Sequence, residues 1–250
     1  MNEKRDLFDL SGKVALVTGG SRGLGKAICL GLARQGADII VVSRKLDNCQ
    51  QVAAEVRNLG RRAMALRCHM GRWNQIDDMV DEAYSQFGNI DILVNNAGMS
   101  PVTESSLITD EKLMDAVLSL NFKGPFRLSA LVGARMAGGS GGSIINMGSI
   151  ASKRPLPEYA PYAGAKAALN ALTIAHAREY APKVRVNAIL PGSFRTDISK
   201  HWAADKEANT PAALKRFGEP DEIVTTVLYL ASDYSSFTTG ALIGVDGGRP

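Results

Sequence analysis

Residues 18–27 read TGGSRGLGKA, and four of the eight positions from Thr18 to Gly25 are glycine, with one arginine, Arg22, set among them. Ahead of this stretch stands KVALVTG (13–19), a short apolar run rich in β-branched residues and closed by glycine. Behind it stands LGKAICLGLARQG (24–36), whose Ala27, Leu30 and Ala33 recur at helical spacing before Gly36 stops the helix. The stretch is therefore read as a strand-to-helix turn. Parallel strands need crossover connections, usually helical, so a strand that runs straight into a helix predicts the first unit of a parallel sheet.

The same alternation continues along the chain. DIIVVSR (38–44), RAMALRC (62–68), DILVNNAG (91–98), GSIINMGS (142–149), VRVNAIL (184–190) and ALIGVDGG (241–248) are short, apolar and bounded by glycine or polar residues, with helix-length segments between them. The reading is an α/β chain: one domain over residues 1–250, a Rossmann-like doubly wound sheet of about seven parallel strands with helices on both faces. No internal repeat, low-complexity tract or linker divides it.

Composition narrows the functional classes. Apolar residues make up 45% and charged residues 22%, which suits a filled globular core. The net charge of +4 is spread along the chain without a recognition motif, so no nucleic-acid partner is expected. The first ten residues, MNEKRDLFDL, lack the apolar core of a secretory signal, and no run reaches membrane-spanning length, so a cytoplasmic protein without a membrane partner is expected. Cys29, Cys49 and Cys68 show neither CxxC spacing nor paired histidines; free thiols are expected, and no metal site. His176 and His201 are read as structural or pocket-lining.

A bare backbone between a strand and a helix has a chemical use. Helix N-terminal amides and the positive end of the dipole gather there and form a cradle for phosphate. Gly19, Gly23 and Gly25 are expected to permit positive φ and to let a pyrophosphate lie against the main chain, with Ser21, Arg22 and Leu24 around it. The second strand ends VVSRK. Sites that choose NAD place an acid at that strand end for the ribose 2′-hydroxyl, whereas a nearby arginine suits the 2′-phosphate of NADP. Here Ser43 occupies the acid's place and Arg44 follows it, and Arg22 approaches from the loop, so NADP(H) is the expected cofactor.

Tyr162 and Lys166 are four residues apart in a segment rich in helix formers, and so share one helix face. An ammonium beside a phenol favours the phenolate, which would pull the tyrosine pKa down from about 10 toward working range. Ser149 stands thirteen positions before Tyr162, at the end of the preceding strand.

Taken together, Thr18-Gly19-x3-Gly23-x-Gly25, Asn95-Asn96-Ala97-Gly98, Ser149, Tyr162-x3-Lys166 and Pro191-Gly192 resemble, in order and approximate spacing, the classical short-chain dehydrogenase/reductase family. The similarity runs from GKVALVTGG to GVDGG and is nearest to 3-oxoacyl-carrier-protein reductases and similar small-molecule ketoreductases. The resemblance implies hydride transfer between NADP(H) and a carbonyl or secondary alcohol. In that scheme Tyr162 is the acid/base, Ser149 donates to the reacting oxygen, and Lys166 also holds the nicotinamide ribose. Asn121, in LSLNFKGPF, would support a proton relay to the lysine. It further implies that Asn95, Ala97 and Gly98 flank the adenosine half and that Pro191, Gly192 and Thr196 meet the carboxamide. His69, with Met70 beside it, replaces the acid that usually meets the adenine amino group; a neutral imidazole accepting through one nitrogen would keep that contact.

The substrate is left open by the sequence. Met99 to Val102, Ala151 to Pro157 and Phe194 to Trp202 are candidate pocket walls, and Arg127, Arg178 and Lys183 are candidate contacts for a carrier-bound acyl chain. The alternatives are an NAD-dependent alcohol, sugar or steroid dehydrogenase of the same family, and a catalytically silent dinucleotide-binding protein, which would be expected to have lost one of Ser149, Tyr162 or Lys166. Ala163, Ala167, Ala171 and Ala175 recur every four residues, and with the resemblance they imply a homotetramer packed through the helices that follow the fourth and fifth strands.

Overall fold

The computed structural model describes residues 7–196, 207 and 209–249. Its strands are β1 (Val14–Thr18), β2 (Asp38–Ser43), β3 (Ala63–Arg67), β4 (Ile92–Asn95), β5 (Gly142–Met147), β6 (Val184–Pro191) and β7 (Leu242–Val245). They form one seven-stranded sheet in the order β3-β2-β1-β4-β5-β6-β7, and every pairing is parallel, from Val14↔Asp38 to Pro191↔Val245. The seven strands read from the sequence are these seven.

Both sheet faces are buried because neighbouring side chains on a strand point to opposite sides. Ala15, Val17, Ile39, Val41, Ile92 and Val94 face one core, shared with α1 (Gly23–Arg34), α2 (Leu46–Asn58) and a helix near the carboxyl end, Val224–Ala231. Leu16, Ile40, Val42, Leu93 and Ile144 face the other, shared with α3 (Trp73–Phe87) and the helices Gly124–Gly138 and Ala160–Glu179. In chain order the later helices are α4 (Glu111–Leu118), α5 (Gly124–Gly138), α6 (Ala160–Glu179) and α7 (Val224–Ala231). Among the described residues no helix is long and apolar enough to cross a membrane. Cys29, Cys49 and Cys68 are free and buried.

Between α4 and α5 the chain widens into one π-helical turn, Ser119–Lys123, centred on Asn121. Such bulges recur at functional sites, where they re-aim a side chain out of the ordinary helical register. Asn121 is fully buried and donates back to the Val117 carbonyl at 3.1 Å.

The alanine series on α6 is divided by helix geometry. A four-residue step overshoots a 3.6-residue turn by about 40°, so the series drifts around the helix. Ala163 is turned inward and buried, while Ala167, Ala171 and Ala175 are exposed beside the part-exposed Ile174. The outward small-residue face therefore begins at Ala167, a correction to the four-residue stripe.

Candidate active site

The chain runs from β1 outward to β3 and then returns to β4 on the other side of β1. A crevice opens at such a reversal, beyond the carboxyl ends of the strands. Here it is a cleft of about 830 Å³, lined at one end by the glycine turn and at the other by the segments after β5 and β6.

The glycine turn is built by close approach. Gly19 and Gly23 have φ of +64° and +52°. Gly25 differs from the sequence expectation: it lies within α1 without positive φ, and a Cβ there would stand 2.2 Å from the Gly19 carbonyl oxygen. It is needed so that helix and turn can touch. Arg22, just before α1, has an extended backbone and gives no side-chain cap, and the first turn of the helix holds no acid. Its leading amides are left for an anion.

A second uncapped start faces the same end of the cleft. Lys45, just before α2, gives no side-chain cap, and Ser43, Arg44, Lys45 and Asn48 line the cleft together with Arg22. Asp47, in the first turn of α2, is exposed and does not line it. Ser43 Oγ lies 3.0 Å from Cys49 Sγ and donates to the Lys45 carbonyl at 3.3 Å, which fixes the corner between strand and helix.

At the centre, Ser149 is a turn-starting residue. Its Oγ accepts from the Ala151 amide at 3.1 Å, so its own hydrogen is directed elsewhere. Beside it lies the Tyr162 phenol, at the start of α6. Ser152, from the candidate wall, and Asn170, not singled out in the sequence, hold this serine: Ser152 Oγ donates to the Ser149 carbonyl at 2.6 Å, and Asn170 Nδ2 donates to Ser152 Oγ at 2.8 Å. Asn170 follows Lys166 by one helical turn, the only hint the sequence offers. Lys166 Nζ donates to the Met147 carbonyl at 2.7 Å and lies 5.8 Å from the centre of the Tyr162 ring.

Burial sets the ionisation of this pair. It pushes the Lys166 ammonium down to about 8, and it raises the Tyr162 phenol, an effect opposed by the Ser149 hydroxyl. The lowered phenol expected from the adjacent ammonium is thus not what the protein alone produces, because both groups sit where charge is poorly solvated. For stability the sign is definite. The folded pKa of Lys166 lies below its ordinary 10.5, so the unfolded chain binds more protons between about pH 8 and 10.5, and this group makes stability rise with pH across that window. Below pH 8 the ammonium is buried at a cost. Lys166→Met is accordingly expected to raise Tm at pH 7 by at least about 2 °C while abolishing turnover, as read by calorimetry and assay.

Of the residues chosen from sequence, Gly19, Ser21, Arg22, Gly23, Leu24, Gly25, Ser43, Arg44, Met70, Ala97, Gly98, Ser149, Tyr162, Lys166, Pro191, Gly192 and Thr196 all line the cleft. Three do not. Asn95 points beneath the sheet end, where its Nδ2 donates to Ser129 Oγ at 2.9 Å and Asn146 Oδ1 at 2.8 Å. It is Asn96 that lines the cleft, with Nδ2 donating to the Thr18 carbonyl at 2.9 Å and closing the glycine turn from below. Asn121 sits behind the wall, accepting from the Met99 amide at 3.2 Å and donating to the Met99 carbonyl at 2.9 Å. It and Lys166 Nζ both border Gly98, where a Cβ would stand 2.8 Å from Asn121 Oδ1 and 3.6 Å from the amine. His69 also lies off the cleft, between Cys68 and Met70, which do line it. Its Nδ1 accepts from the Gly71 amide at 3.1 Å, and burial together with the Arg44 and Arg72 charges favours the neutral ring. The remaining proton is then on Nε2, so the free nitrogen is a donor and not the acceptor expected for an adenine amino group.

The candidate carrier contacts Arg127, Arg178 and Lys183 do not line the cleft. Arg127 makes a bidentate pair with Asp77, both contacts at 2.7 Å, and Lys183 donates to the Gly139 carbonyl. Of the candidate walls, Met99, Ser100, Ala151, Arg154, Leu156, Phe194 and Thr196 line the cleft; Val102 and Lys153 do not. His176 is buried between Phe126 and Tyr180, a structural place. His201 and Trp202 lie outside the described residues.

Comparison with known proteins agrees with this geometry. The family model described as short chain dehydrogenase matches residues 13–207. The chain is 36% identical over 246 residues to the human protein named dehydrogenase/reductase SDR family member 4, covering 96% of this chain and 88% of that one. It is 35% identical to a 3-oxoacyl-(acyl-carrier-protein) reductase of Thermotoga maritima, covering 96% and 98%. A crystal structure of a short-chain type dehydrogenase/reductase from Mycobacterium marinum superposes with a TM-score of 0.92 at 37% identity, covering 98% of each chain. The family match over most of the chain and these identities over nearly its whole length settle the relationship: the chain belongs to the short-chain dehydrogenase family of oxidoreductases, enzymes of alcohol and carbonyl groups with a nicotinamide dinucleotide cofactor.

Proposed function

We propose that this enzyme is an NADP(H)-dependent reductase of small-molecule carbonyl compounds, oxidising the corresponding secondary alcohols in reverse. The observation that carries the cofactor choice is the end of the cleft around Ser43: two uncapped helix starts, the guanidiniums of Arg22 and Arg44, the Lys45 ammonium, and no carboxylate lining that end among the described residues. Those groups fit a monophosphate better than a ribose hydroxyl pair. When bound, the cofactor supplies or accepts the hydride.

The chain's own residues do the rest. Tyr162, kept protonated by burial, gives its proton to the carbonyl oxygen as the alcohol forms, and solvent later restores it. Ser149, with its Oγ already accepting from Ala151, points its hydrogen at the same oxygen and stabilises the negative charge that develops there. Lys166 keeps a positive charge behind the phenol at neutral pH, and Asn121 holds the Met99 backbone beside it. The test is wild-type kcat/KM with NADPH and with NADH on a panel of ketones and aldehydes. A clear preference for NADPH is expected; equal or better efficiency with NADH would assign the enzyme to NAD.

We infer also that the enzyme is a homotetramer. The outward face of α6, with Ala167, Ala171 and Ala175 beside Ile174, permits close approach of a second helix. Light scattering at micromolar concentration is expected to give about four times the chain mass of 26.6 kDa, and a monomer would leave this face as bare surface.

A further inference from the structure

Around the far end of the cleft the arginines differ in their pairing. Arg195 is joined to Glu207 and Glu219, and Arg216 to Glu222 at 2.6 Å. Two are not. Arg154 and Arg249 line the cleft itself, in a wall otherwise contributed by residues such as Met99, Leu156, Phe194 and Phe217, and among the described residues neither forms a salt bridge.

These two residues are brought together by tertiary structure. After Ser149 the chain makes a tight turn, Ile150–Ser152, and the Arg154 amide closes it on the Ile150 carbonyl at 3.0 Å, five residues from the catalytic serine. Arg249 arrives from the other side. The carbonyls of Gly247 and Gly248 accept from Leu214 at 3.0 Å and Ala213 at 3.1 Å, which fixes the segment after β7 beside the cleft. Arg154 Nη1 then donates to the Arg249 carbonyl at 2.6 Å. That bond uses one of the five donors of Arg154 and none of those on the Arg249 side chain.

The local charge is positive. Glu158 is the one acid that lines the cleft among the described residues, and Asp246, near Arg249 in sequence, accepts from the Gly248 amide at 3.0 Å. Arg154 is exposed and Arg249 part-exposed where they line the cleft, so both cations are open to an anionic substrate and offer nothing to a neutral ketone, sugar or steroid. Guanidinium forks match the two oxygens of a carboxylate.

We propose that the substrate is an oxo acid (a hydroxy acid in reverse), its carboxylate held by Arg154 and Arg249 while its carbonyl meets Tyr162 and Ser149. This rests on reading the cleft as a carbonyl-reductase site and adds to it the charge of the substrate. It also disfavours substrates whose only charge lies on a distant carrier.

The test uses matched pairs: 3-oxobutanoate, 4-oxopentanoate and 5-oxohexanoate, each against its methyl ester, with wild-type enzyme and with Arg154→Ala, Arg249→Ala, the double variant and Arg249→Lys. For at least one chain length the wild-type ratio of kcat/KM, acid over ester, is expected to be about tenfold or more, since a charge-assisted contact is worth that much. The ratio should fall toward one in the double alanine variant and partly survive in Arg249→Lys. Esters reduced as well as acids by wild type, or an acid preference that survives the double variant, would overturn the proposal while leaving the reductase reading intact. If none of the six compounds is turned over, which counts against the reductase reading, calorimetric titration of the same pairs decides the charge question. Acid-selective binding lost in the double variant upholds it, and equal or absent binding of acid and ester overturns it.

Discussion

Tyr162→Phe is expected to lower turnover by about 10²–10⁴-fold while leaving cofactor affinity within a few-fold of wild type. The substitution removes one oxygen and keeps the ring, so α6 retains its packing at the cleft and Lys166 retains its bond to the Met147 carbonyl. What is lost is the phenol that meets the Ser149 hydroxyl and lies beside the Lys166 amine. Water in its place would lack the covalent tether that holds the phenol oxygen beside Ser149. Stopped-flow turnover beside fluorescence titration of the reduced cofactor separates the two effects. A variant that still turns over within a few-fold of wild type would remove Tyr162 from the chemistry and point to another acid.

Arg44→Asp is expected to weaken NADPH by tenfold or more, leave NADH little changed or improved, and so reverse or erase the preference. Arg44 and Arg22 are both exposed, without a salt-bridge partner among the described residues, whereas the nearby Lys26 is paired with Glu55 at 2.8 Å. Their charge is thus available to a ligand. An aspartate beside Ser43 would repel a 2′-phosphate and accept from a 2′-hydroxyl, so the two cofactors should respond in opposite directions. Dissociation constants for both cofactors, measured at two salt concentrations, check this. An unchanged NADPH affinity in Arg44→Asp would show that the phosphate is bound elsewhere.

Much of the architecture was legible before any coordinates. The seven strands could be read because each is a short apolar run closed by glycine or a polar residue, and because strand-helix alternation leaves a parallel sheet as the economical solution. The phosphate cradle was legible for the same reason: TGGSRGLG is local, and its function follows from the backbone between one strand and the next helix. Tyr162 and Lys166 were legible because four residues on a helix fix a shared face.

What the sequence misassigned was decided by directions that no local pattern encodes. Asn95 and Asn96 are adjacent, and the end of β4 turns the first into the Ser129–Asn146 network and the second onto the glycine turn. Gly25 is required by the Gly19 carbonyl across the turn, not by its own φ. His69 is a donor and not an acceptor at its free nitrogen, because the Gly71 amide occupies Nδ1. The longest-range case is the pair Arg154 and Arg249, 95 residues apart and joined through a backbone carbonyl. The sequence by itself determined which elements form, their order and the chemistry of the turn and helix that carry the reaction, because those depend on neighbours within a few residues. The tertiary structure alone decided which side chains face the cleft and which distant cations meet there, because a side chain's direction is set by the packing of elements far apart in the chain.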